Sequence, residues 1–293
     1  MSDQNKGIIY ASFTALLWGF LAIALKVSLN DLNPVTVVWF RFSIAFLSLL
    51  IILSFSKRTK IKSISKPPLR VFIAAFFLGM NYLGFISGIK ETSPSNAQVF
   101  IQIGPVSLAA AGILIFKEKL SFQQIIGFLI LLSGFTLFYS EQITGTLWEE
   151  GTYFKGVVYV ILGGLSWAVF SVNQKILVRN WDPNYLNLLI YGFCSVMFIP
   201  FVEFSKVPSL GMIDWFLLLF LGFNTLLAYG SLALAFKYTE AKKVSVIITL
   251  NPVITFVVMA FLGKWEVSWI KAEIFTALSI SGAIMVFAGA ATV

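Results

Sequence analysis

Amide and tyrosine side chains interrupt several long apolar segments of the sequence, and they are its first candidates for chemistry. An amide left unpaired in hydrocarbon costs free energy, so these side chains are expected to point towards the protein interior. Gln98 and Gln102 are four residues apart and share one face of a helix. Hydrogen bonding between helices explains any one of them, whereas the whole set predicts a polar, uncharged central cavity. The predicted substrate-binding amides and tyrosines are Asn81, Tyr82, Gln98, Gln102, Asn173, Asn224, Tyr229 and Asn251.

Two tryptophans and one arginine complete the predicted substrate-binding set. Trp18 and Trp167 lie near the middle of apolar segments, although indole usually favours the membrane interface. They are either aromatic walls of a substrate site or core packing. Arg41 follows Pro34 by seven residues, which is about 10 Å into a helix that rises about 1.5 Å per residue. A charge at that depth faces a cavity or a partner, or extends to the membrane surface. Arg41 is therefore either an anion-binding or a structural residue.

The residue types that usually support catalysis are scarce. Histidine is absent, which removes the usual metal ligand and the usual neutral-pH proton carrier, and Cys194 is the one cysteine. An intramembrane enzyme would need a nucleophile with a base, paired aspartates or metal ligands within the apolar segments. We predict no catalytic residue, no metal and no cofactor. An intramembrane enzyme or a non-transporting membrane receptor is the alternative from another functional class.

The elements that position these side chains are long apolar segments. The chain is 58% hydrophobic and 12% charged, against about 25% charged residues in ordinary soluble domains, so lipid must be its main solvent. A span needs about 20 apolar residues and must be helical, because lipid offers no partner for backbone polar groups. We predict an all-α membrane protein with ten transmembrane helices, at about 7–29, 34–56, 69–89, 94–116, 121–140, 153–178, 183–204, 212–236, 241–262 and 268–291.

The basic residues predict the orientation in the membrane. With the N-terminus inside, 14 lysines and arginines fall on the inner side and 6 on the outer side. This bias predicts two cytoplasmic termini in a multi-pass protein of the plasma membrane, which is the inner membrane in a Gram-negative cell. No basic face is predicted outside the membrane loops, so we expect no nucleic-acid partner. The expected partners are the lipid bilayer and a small-molecule substrate, and a homodimer is left open.

The second half of the sequence repeats features of the first. At an offset of 149, Trp18 matches Trp167 and Lys26 matches Lys175. At 147, four more pairs match, namely Tyr82 with Tyr229, Lys90 with Lys237, Thr92 with Thr239, and Pro105 with Pro252. These matches predict two repeats, residues 1–145 and 146–293, with five spans each. Because five is odd, the second repeat enters the membrane from the opposite side, and such inverted repeats are typical of secondary transporters.

Both repeats contain a set of recurring motifs. They are Ala15-Leu16-Leu17-Trp18-Gly19, Arg41, Gly104-Pro105-Val106, Phe116-Lys117-Glu118-Lys119-Leu120, Gly127, Gly134, Asn251-Pro252-Val253, Gly263-Lys264-Trp265-Glu266 and Gly282. These motifs resemble those of the EamA-type ten-helix members of the drug/metabolite transporter superfamily. The resemblance implies a secondary transporter of a small metabolite that works by alternating access. Members of this family move amino acids, sugars, nucleotide derivatives and drugs, and among these we predict export of an amino acid or related compound.

The positions of the acidic residues predict how transport is driven. Proton-driven carriers usually place an Asp, Glu or His along the permeation path. Here the acidic residues fall at span ends or in loops, and Glu203 and Glu273 come closest to membrane depth. We therefore predict a facilitator or exchanger, with a proton-coupled antiporter acting through Glu273 or Glu203 as the alternative. Glu273 lies at nearly the predicted depth of Arg41, so an ion pair between them is also expected.

Two further expectations concern prolines and helix ends. Pro105 and Pro252 lie within predicted spans, where proline removes a backbone hydrogen bond and kinks the helix. Glu118 and Glu266 end the fourth and ninth spans. Each is expected to be a solvated charge that caps the helix following it in sequence, near that helix's positive end.

The predicted topology can be tested with one cysteine. Thr146 lies in the predicted outer loop 141–152, so Thr146→Cys should react with an impermeant maleimide in intact cells. The parent protein, whose single cysteine lies in an apolar segment, serves as the background control. Labelling that appears only after permeabilisation would contradict the orientation.

Overall fold

The computed structural model describes residues 2–55, 67–119, 121–146, 151–265, 267, 269–270 and 276–291. Within these ranges the chain is helical and contains no β-strand. Short 3-10 turns at Ile199–Phe201 and Phe204–Ser209 join α8 to α9. The helices are α1 (Asp3–Ser28), α2 (Pro34–Phe55), α3 (Leu69–Glu91), α4 (Pro94–Phe100), α5 (Ile103–Leu114), α6 (Phe122–Thr146), α7 (Gly151–Leu177), α8 (Pro183–Phe198), α9 (Met212–Tyr238), α10 (Ala241–Ile248), α11 (Asn251–Lys264) and α12 (Ala277–Ala291).

The helices confirm the predicted all-α membrane class. Eight helical stretches in the described residues are long and apolar enough to cross a membrane, and two of them combine the pairs α4–α5 and α10–α11. The predicted fifth span contributes a shorter apolar helix at Ile125–Gly134. Part of the predicted tenth span, 268–291, lies outside the described residues. The count of ten therefore stays a prediction, although every predicted segment contains helix.

The fourth and ninth spans are broken rather than merely bent. α4 ends at Phe100 and α5 begins at Ile103, while α10 ends at Ile248 and α11 begins at Asn251. Pro105 and Pro252 each lie in the first turn of the second segment, where the missing N–H would have no helical partner. The ring of each proline crowds the carbonyl four residues earlier, at Ile101 or Ile248, which explains why the preceding helix stops there. The sequence predicted a kink at each proline, and the structure has a break between two helices instead.

The helix pairs are arranged as expected for two similar halves. α1 packs along α9, and its counterpart α7 packs along α3. α2 packs on α8, and α6 packs on α12, so each of these pairs joins equivalent helices of the two halves. Exchanging the halves therefore converts each of these pairs into a pair that is also present, as a two-fold axis between the halves requires.

Two lysines matched by the repeat make equivalent contacts. Lys26 Nζ of α1 donates to the carbonyls of Ile89 and Thr92, at 3.0 and 3.3 Å, at the end of α3. Lys175 Nζ of α7 donates to the carbonyls of Phe236, at 3.1 Å, and Thr239, at the end of α9. The acceptors of the second lysine follow those of the first by 147 residues, the offset found in the sequence. A cation at a helix C-terminus satisfies free carbonyls and opposes the negative end of the helix dipole.

Glycines allow the backbones of α3 and α7 to touch. A Cβ atom added at Gly84 would lie 2.6 Å from the carbonyl oxygen of Tyr159, and one added at Gly88 would lie 2.0 Å from Val160 Cγ2. On the opposite helix, a Cβ added at Gly163 would lie 3.2 Å from the carbonyl oxygen of Asn81 in α3. Such small-residue faces are typical of membrane helices in close contact, and they explain the spacing of Gly84 and Gly88.

The glycine contact predicts a difference between two Gly→Ala substitutions. Gly84→Ala should destabilise the protein by about 1–3 kcal/mol, because the new methyl group meets a backbone oxygen that cannot rotate away. Gly230→Ala in α9 is the matched control, because nothing lies within 4 Å of its added Cβ, and it should gain about 1 kcal/mol from helix propensity. Thermal unfolding of the purified variants in detergent measures both effects. Equal melting temperatures would contradict the packing argument.

Candidate functional site

A cavity lies at the level of the two helix breaks. Its volume is about 50 Å³, which is room for a few water molecules. Nine of the eleven residues predicted to bind substrate line it, and they come from both halves of the chain. The lining residues are Trp18, Leu21, Arg41, Asn81, Tyr82, Phe85, Gln98, Ile101, Gln102, Pro105, Trp167, Tyr229, Ile248 and Asn251.

Aromatic rings form a continuous wall of this cavity. The rings of Trp18 and Trp167, which the repeat relates, meet edge to face with centroids 5.9 Å apart. Tyr229 lies 5.2 Å from Trp18 and 5.6 Å from Tyr82, also between ring centroids. Both indole N–H groups are buried and have no hydrogen-bond partner among the described residues. A buried indole N–H usually finds a partner, so this wall presents two unused donors.

Arg41 is buried beside this wall, with 2% of the residue exposed. Its guanidinium carbon lies 4.1 Å from the centre of the Tyr82 ring, within the range of a cation–π contact. Its Nε donates to Thr225 Oγ1 at 3.2 Å, while Nη2 has no hydrogen-bond partner in the described part of the chain. Arg41 therefore points inwards and does not extend to the membrane surface. The predicted ion pair with Glu273 falls on a residue outside the described ranges.

Thr225 of α9 organises the surroundings of Arg41, and the sequence analysis did not identify it. Its hydroxyl accepts from Arg41 Nε and from the Tyr82 hydroxyl, both at 3.2 Å, and donates to the carbonyl of Leu221 at 2.9 Å. A hydroxyl has one donor and two acceptor sites, so Thr225 is fully used. It fixes the arginine through a neutral contact, and no acidic side chain among the described residues pairs with the guanidinium.

Amide side chains that line the same cavity join the broken spans. Gln102 Nε2 donates to Asn251 Oδ1 at 3.0 Å, which links the break of the fourth span to the start of α11. The same nitrogen donates to the carbonyl of Gln98, and Gln98 Nε2 donates to the carbonyl of Trp18 at 3.1 Å. Because a backbone carbonyl can only accept, these bonds fix which end of each amide is the oxygen. The Oε1 atoms of Gln98 and Gln102 are buried without a partner among the described residues.

The cavity thus combines unused donors and unused acceptors. The donors are Arg41 Nη2 and the two indole N–H groups, and the acceptors are the two glutamine oxygens. No lining residue is an Asp, Glu or His. Buried polar groups are normally paired, so such a set around one cavity marks a place where a polar ligand can bind. A ligand that matches it has both an anionic or acceptor end and a donor end.

The structure does not bring Asn173 and Asn224 to this cavity. Asn173 Nδ2 donates to the carbonyl of Val169 in its own helix, at 2.8 Å. Asn224 Nδ2 donates to the carbonyl of Leu17 at 2.8 Å and so joins α9 to α1. Both amides satisfy backbone carbonyls, which is the interhelical or local bonding that the sequence analysis left open for any single amide.

Five lining residues were absent from the predicted set, and a helical signal could have found them. Leu21 follows Trp18 by three residues, Phe85 follows Tyr82 by three, and Ile101 follows Gln98 by three. Pro105 and Ile248 have the same spacing from Gln102 and Asn251. Residues three or four apart share a helix face, so extending each predicted polar position by one turn predicts the apolar part of the wall.

Cys194 lies apart from this site. Its thiol is fully buried and donates to the carbonyl of Ala75 at 3.1 Å. Among the described residues no group of three or more His, Cys, Asp or Glu side chains is placed to hold a metal ion.

Glu203 lies between α8 and α9, outside the apolar helices. It forms an ion pair with Lys206, with 2.8 Å between Nζ and Oε2. The hydrogen bond from Lys206, aided by one from Asn33, lowers the pKa of the Glu203 carboxyl below its usual value. Glu203 therefore stays ionised at neutral pH, and it is remote from the cavity lining.

Comparison with known proteins agrees with the fold. The model of the EamA-like transporter family matches the chain twice, over residues 5–140 and 154–288. A protein of Haemophilus influenzae described as an uncharacterized transporter is 33% identical over 285 residues, which cover 97% of this chain and 93% of the relative. The uncharacterized inner membrane transporter YhbE of Escherichia coli is 33% identical over 294 residues, which cover 97% of this chain and 89% of the relative.

A solved crystal structure shares the fold. It superposes with a TM-score of 0.77 over 99% of this chain and 97% of the other, at 16% sequence identity. Together with the two family matches and the apolar helices, these comparisons show that the chain is an integral, multi-pass membrane protein that belongs to the EamA-like transporter family.

Proposed function

We propose that the protein is a secondary transporter that exports an amino acid, or a closely related small zwitterion, by alternating access. The observation that carries this proposal is the set of unpaired donors and acceptors around the central cavity. In this proposal residues 1–145 and 146–293 are the two inverted halves that move against each other. Both termini lie in the cytoplasm, and the protein resides in the plasma membrane, or the inner membrane of a Gram-negative cell.

The arginine end of the cavity suits a carboxylate. A buried guanidinium with an unused N–H is strongly favoured to bind an anionic oxygen, because burial removes the water that would otherwise stabilise the charge. The indole N–H groups of Trp18 and Trp167 add two neutral donors. A substrate carboxylate bound here would compensate the positive charge of Arg41.

The glutamine end suits an ammonium group. The Oε1 atoms of Gln98 and Gln102 are acceptors whose orientation is fixed by the bonds that their nitrogens make. A substrate ammonium has three donors and can use both. The absence of a carboxylate from the lining favours a zwitterion over a dication, since only neutral acceptors are offered. The remaining wall is apolar, through Leu21, Phe85, Ile101 and Ile248, and favours a small uncharged side chain.

The composition of the cavity also favours transport down the substrate gradient. Amides, tyrosines and tryptophans do not accept a proton at neutral pH, so the lining offers no group for proton exchange. Of the two acids in the proton-coupled alternative, Glu203 has a lowered pKa and is held by Lys206 at the surface. We therefore propose a facilitator or exchanger, and Glu273 is the remaining candidate for a proton-coupled antiporter.

The proposed carboxylate contact predicts a change of preference on loss of Arg41. In proteoliposomes, counterflow should be seen with a neutral amino acid, and Arg41→Gln should lower it about 10- to 100-fold, the effect of one charge-assisted hydrogen bond. The decarboxylated amine of the same compound is the matched control, and its slower movement should be unaffected by the substitution. The proposal is wrong if no member of a panel of amino acids is transported. It is also wrong if Arg41→Gln lowers the counterflow of the amino acid and of its amine equally.

The proposed energetics predict no response to a proton gradient. With a pH difference imposed and equal substrate on both sides, wild-type proteoliposomes should show no net accumulation. Glu203→Gln should leave the rate unchanged from about pH 6 to about pH 8, because this carboxylate is already ionised throughout that range. Uphill accumulation that disappears in Glu273→Gln would instead establish the proton-coupled alternative.

A further inference from the structure

Glu118 bonds to a helix of the other half of the chain. The sequence analysis expected it to cap α6, the next helix in the chain. Instead its two carboxylate oxygens accept from the backbone N–H groups of Ala241 and Lys242, at 2.9 and 3.0 Å, in the first turn of α10. This is a correction to the expected partner, while the capping of a positive helix end is as expected. Glu266, for which the same expectation was made, lies outside the described residues.

Several features of the chain hold Glu118 in this position. Lys117 has a φ of 54°, in the left-handed region that a lysine rarely adopts, and this turn carries the chain back beside the end of α5. The Glu118 N–H donates to the carbonyl of Gly112 at 3.0 Å. Gly112 also leaves room for the carboxylate, since a Cβ added there would lie 2.7 Å from Glu118 Oε2. The contact is therefore built by local structure and is not the chance position of a long side chain.

The contact of Glu118 with Ala241 and Lys242, called here the closing contact, is the outer member of a row of bonds between the halves. Lys242 Nζ donates to the carbonyl of Lys119, and further in Ser245 Oγ donates to the carbonyl of Pro105. The row ends at the cavity with the bond between Gln102 and Asn251. Between the closing contact and the cavity, Leu108 of α5 and Val244 of α10 are fully buried. These bonds thus join α5 to α10 along the stretch between the cavity and this end of the protein.

We infer that Glu118 is a gating residue, whose closing contact holds the transport path shut at the end where α5 meets α10. The inference rests on the proposed transport function and names a regulatory residue for it. Opening at this end requires α10 to separate from the end of α5, which breaks both bonds to the carboxylate. The freed carboxylate and N–H groups lie at the edge of the apolar region, where water can bind them, so the contact can break and re-form in each cycle. By the basic-residue count this end faces the cytoplasm.

The test measures access to a buried position in nanodiscs, where both faces of the protein are exposed to reagent. Val244→Cys is labelled with a charged, impermeant methanethiosulfonate, and native Cys194, which is fully buried, gives the background. Adding Glu118→Gln removes the charge from both hydrogen bonds and should raise the labelling rate about tenfold. Gly112→Ala displaces the Glu118 carboxylate without changing any charge, so it should also raise the labelling rate, by a smaller factor.

Glu240→Gln is the matched control. Glu240 immediately precedes α10, carries the same charge and pairs with Lys242 and Lys243 of its own half, at 3.6 and 3.8 Å. It should leave labelling at Val244→Cys unchanged. Equal labelling rates in Glu118→Gln and Glu240→Gln would overturn the inference. If Glu118→Gln does not fold, the labelling rate of Gly112→Ala is compared with that of Glu240→Gln instead. Labelling needs no substrate, so it tests the gating role separately from transport. If Glu118→Gln raises the labelling rate but the protein moves no amino acid, the proposed function is contradicted and the gating role still stands.

Discussion

The constraint on which the rest of the structure depends is the need to pair backbone polar groups without water. Pro105 and Pro252 interrupt the fourth and ninth spans in the apolar region, where unpaired N–H and C=O groups are costly. At the first break Gln102 Nε2 pairs with the carbonyl of Gln98, and its bond to Asn251 Oδ1 joins the two breaks. The Oε1 atoms of Gln98 and Gln102, two of the residues that line the cavity, have no partner among the described residues. The proposed binding site for a polar solute would thus follow directly from how two broken helices are stabilised in lipid.

Arg41 shows how the site is kept ready for an anion. An acidic side chain bonded to Arg41 would neutralise its charge permanently. The hydrogen bond that the structure describes is instead to the neutral hydroxyl of Thr225. The cation–π contact with Tyr82 stabilises the charge in part and leaves Nη2 unused. Within the described residues the positive charge has no acidic partner, and its burial is a cost that the proposed substrate carboxylate would offset.

Much of the fold could be predicted from the sequence, because lipid converts long apolar segments into helices with few alternatives. The prolines and the matched lysines also indicated where helices break and which contacts recur in both halves. Side-chain partners were harder to predict. Asn173 and Asn224, like Asn81, are asparagines within long apolar segments. Only the rotation of each helix about its axis decides which amide reaches the cavity. Glu118 was assigned to the wrong helix because its partner, α10, lies 123 residues further along the chain. Thr225 carried no signal, since a threonine in a span is usually satisfied by its own helix.

The contact between α3 and α7 has a mechanical consequence. These helices belong to different halves. Gly84 and Gly163 bring their backbones into direct contact, and Val160 of α7 packs against Gly88. Interlocked side chains would have to change rotamer whenever one helix slid past the other. A surface of glycines has few such obstacles, so displacement of one half along the other meets little steric resistance there. Most of the steric resistance to sliding then comes from other contacts between the halves. The glycine surface can stay in contact while the rest of the protein changes shape.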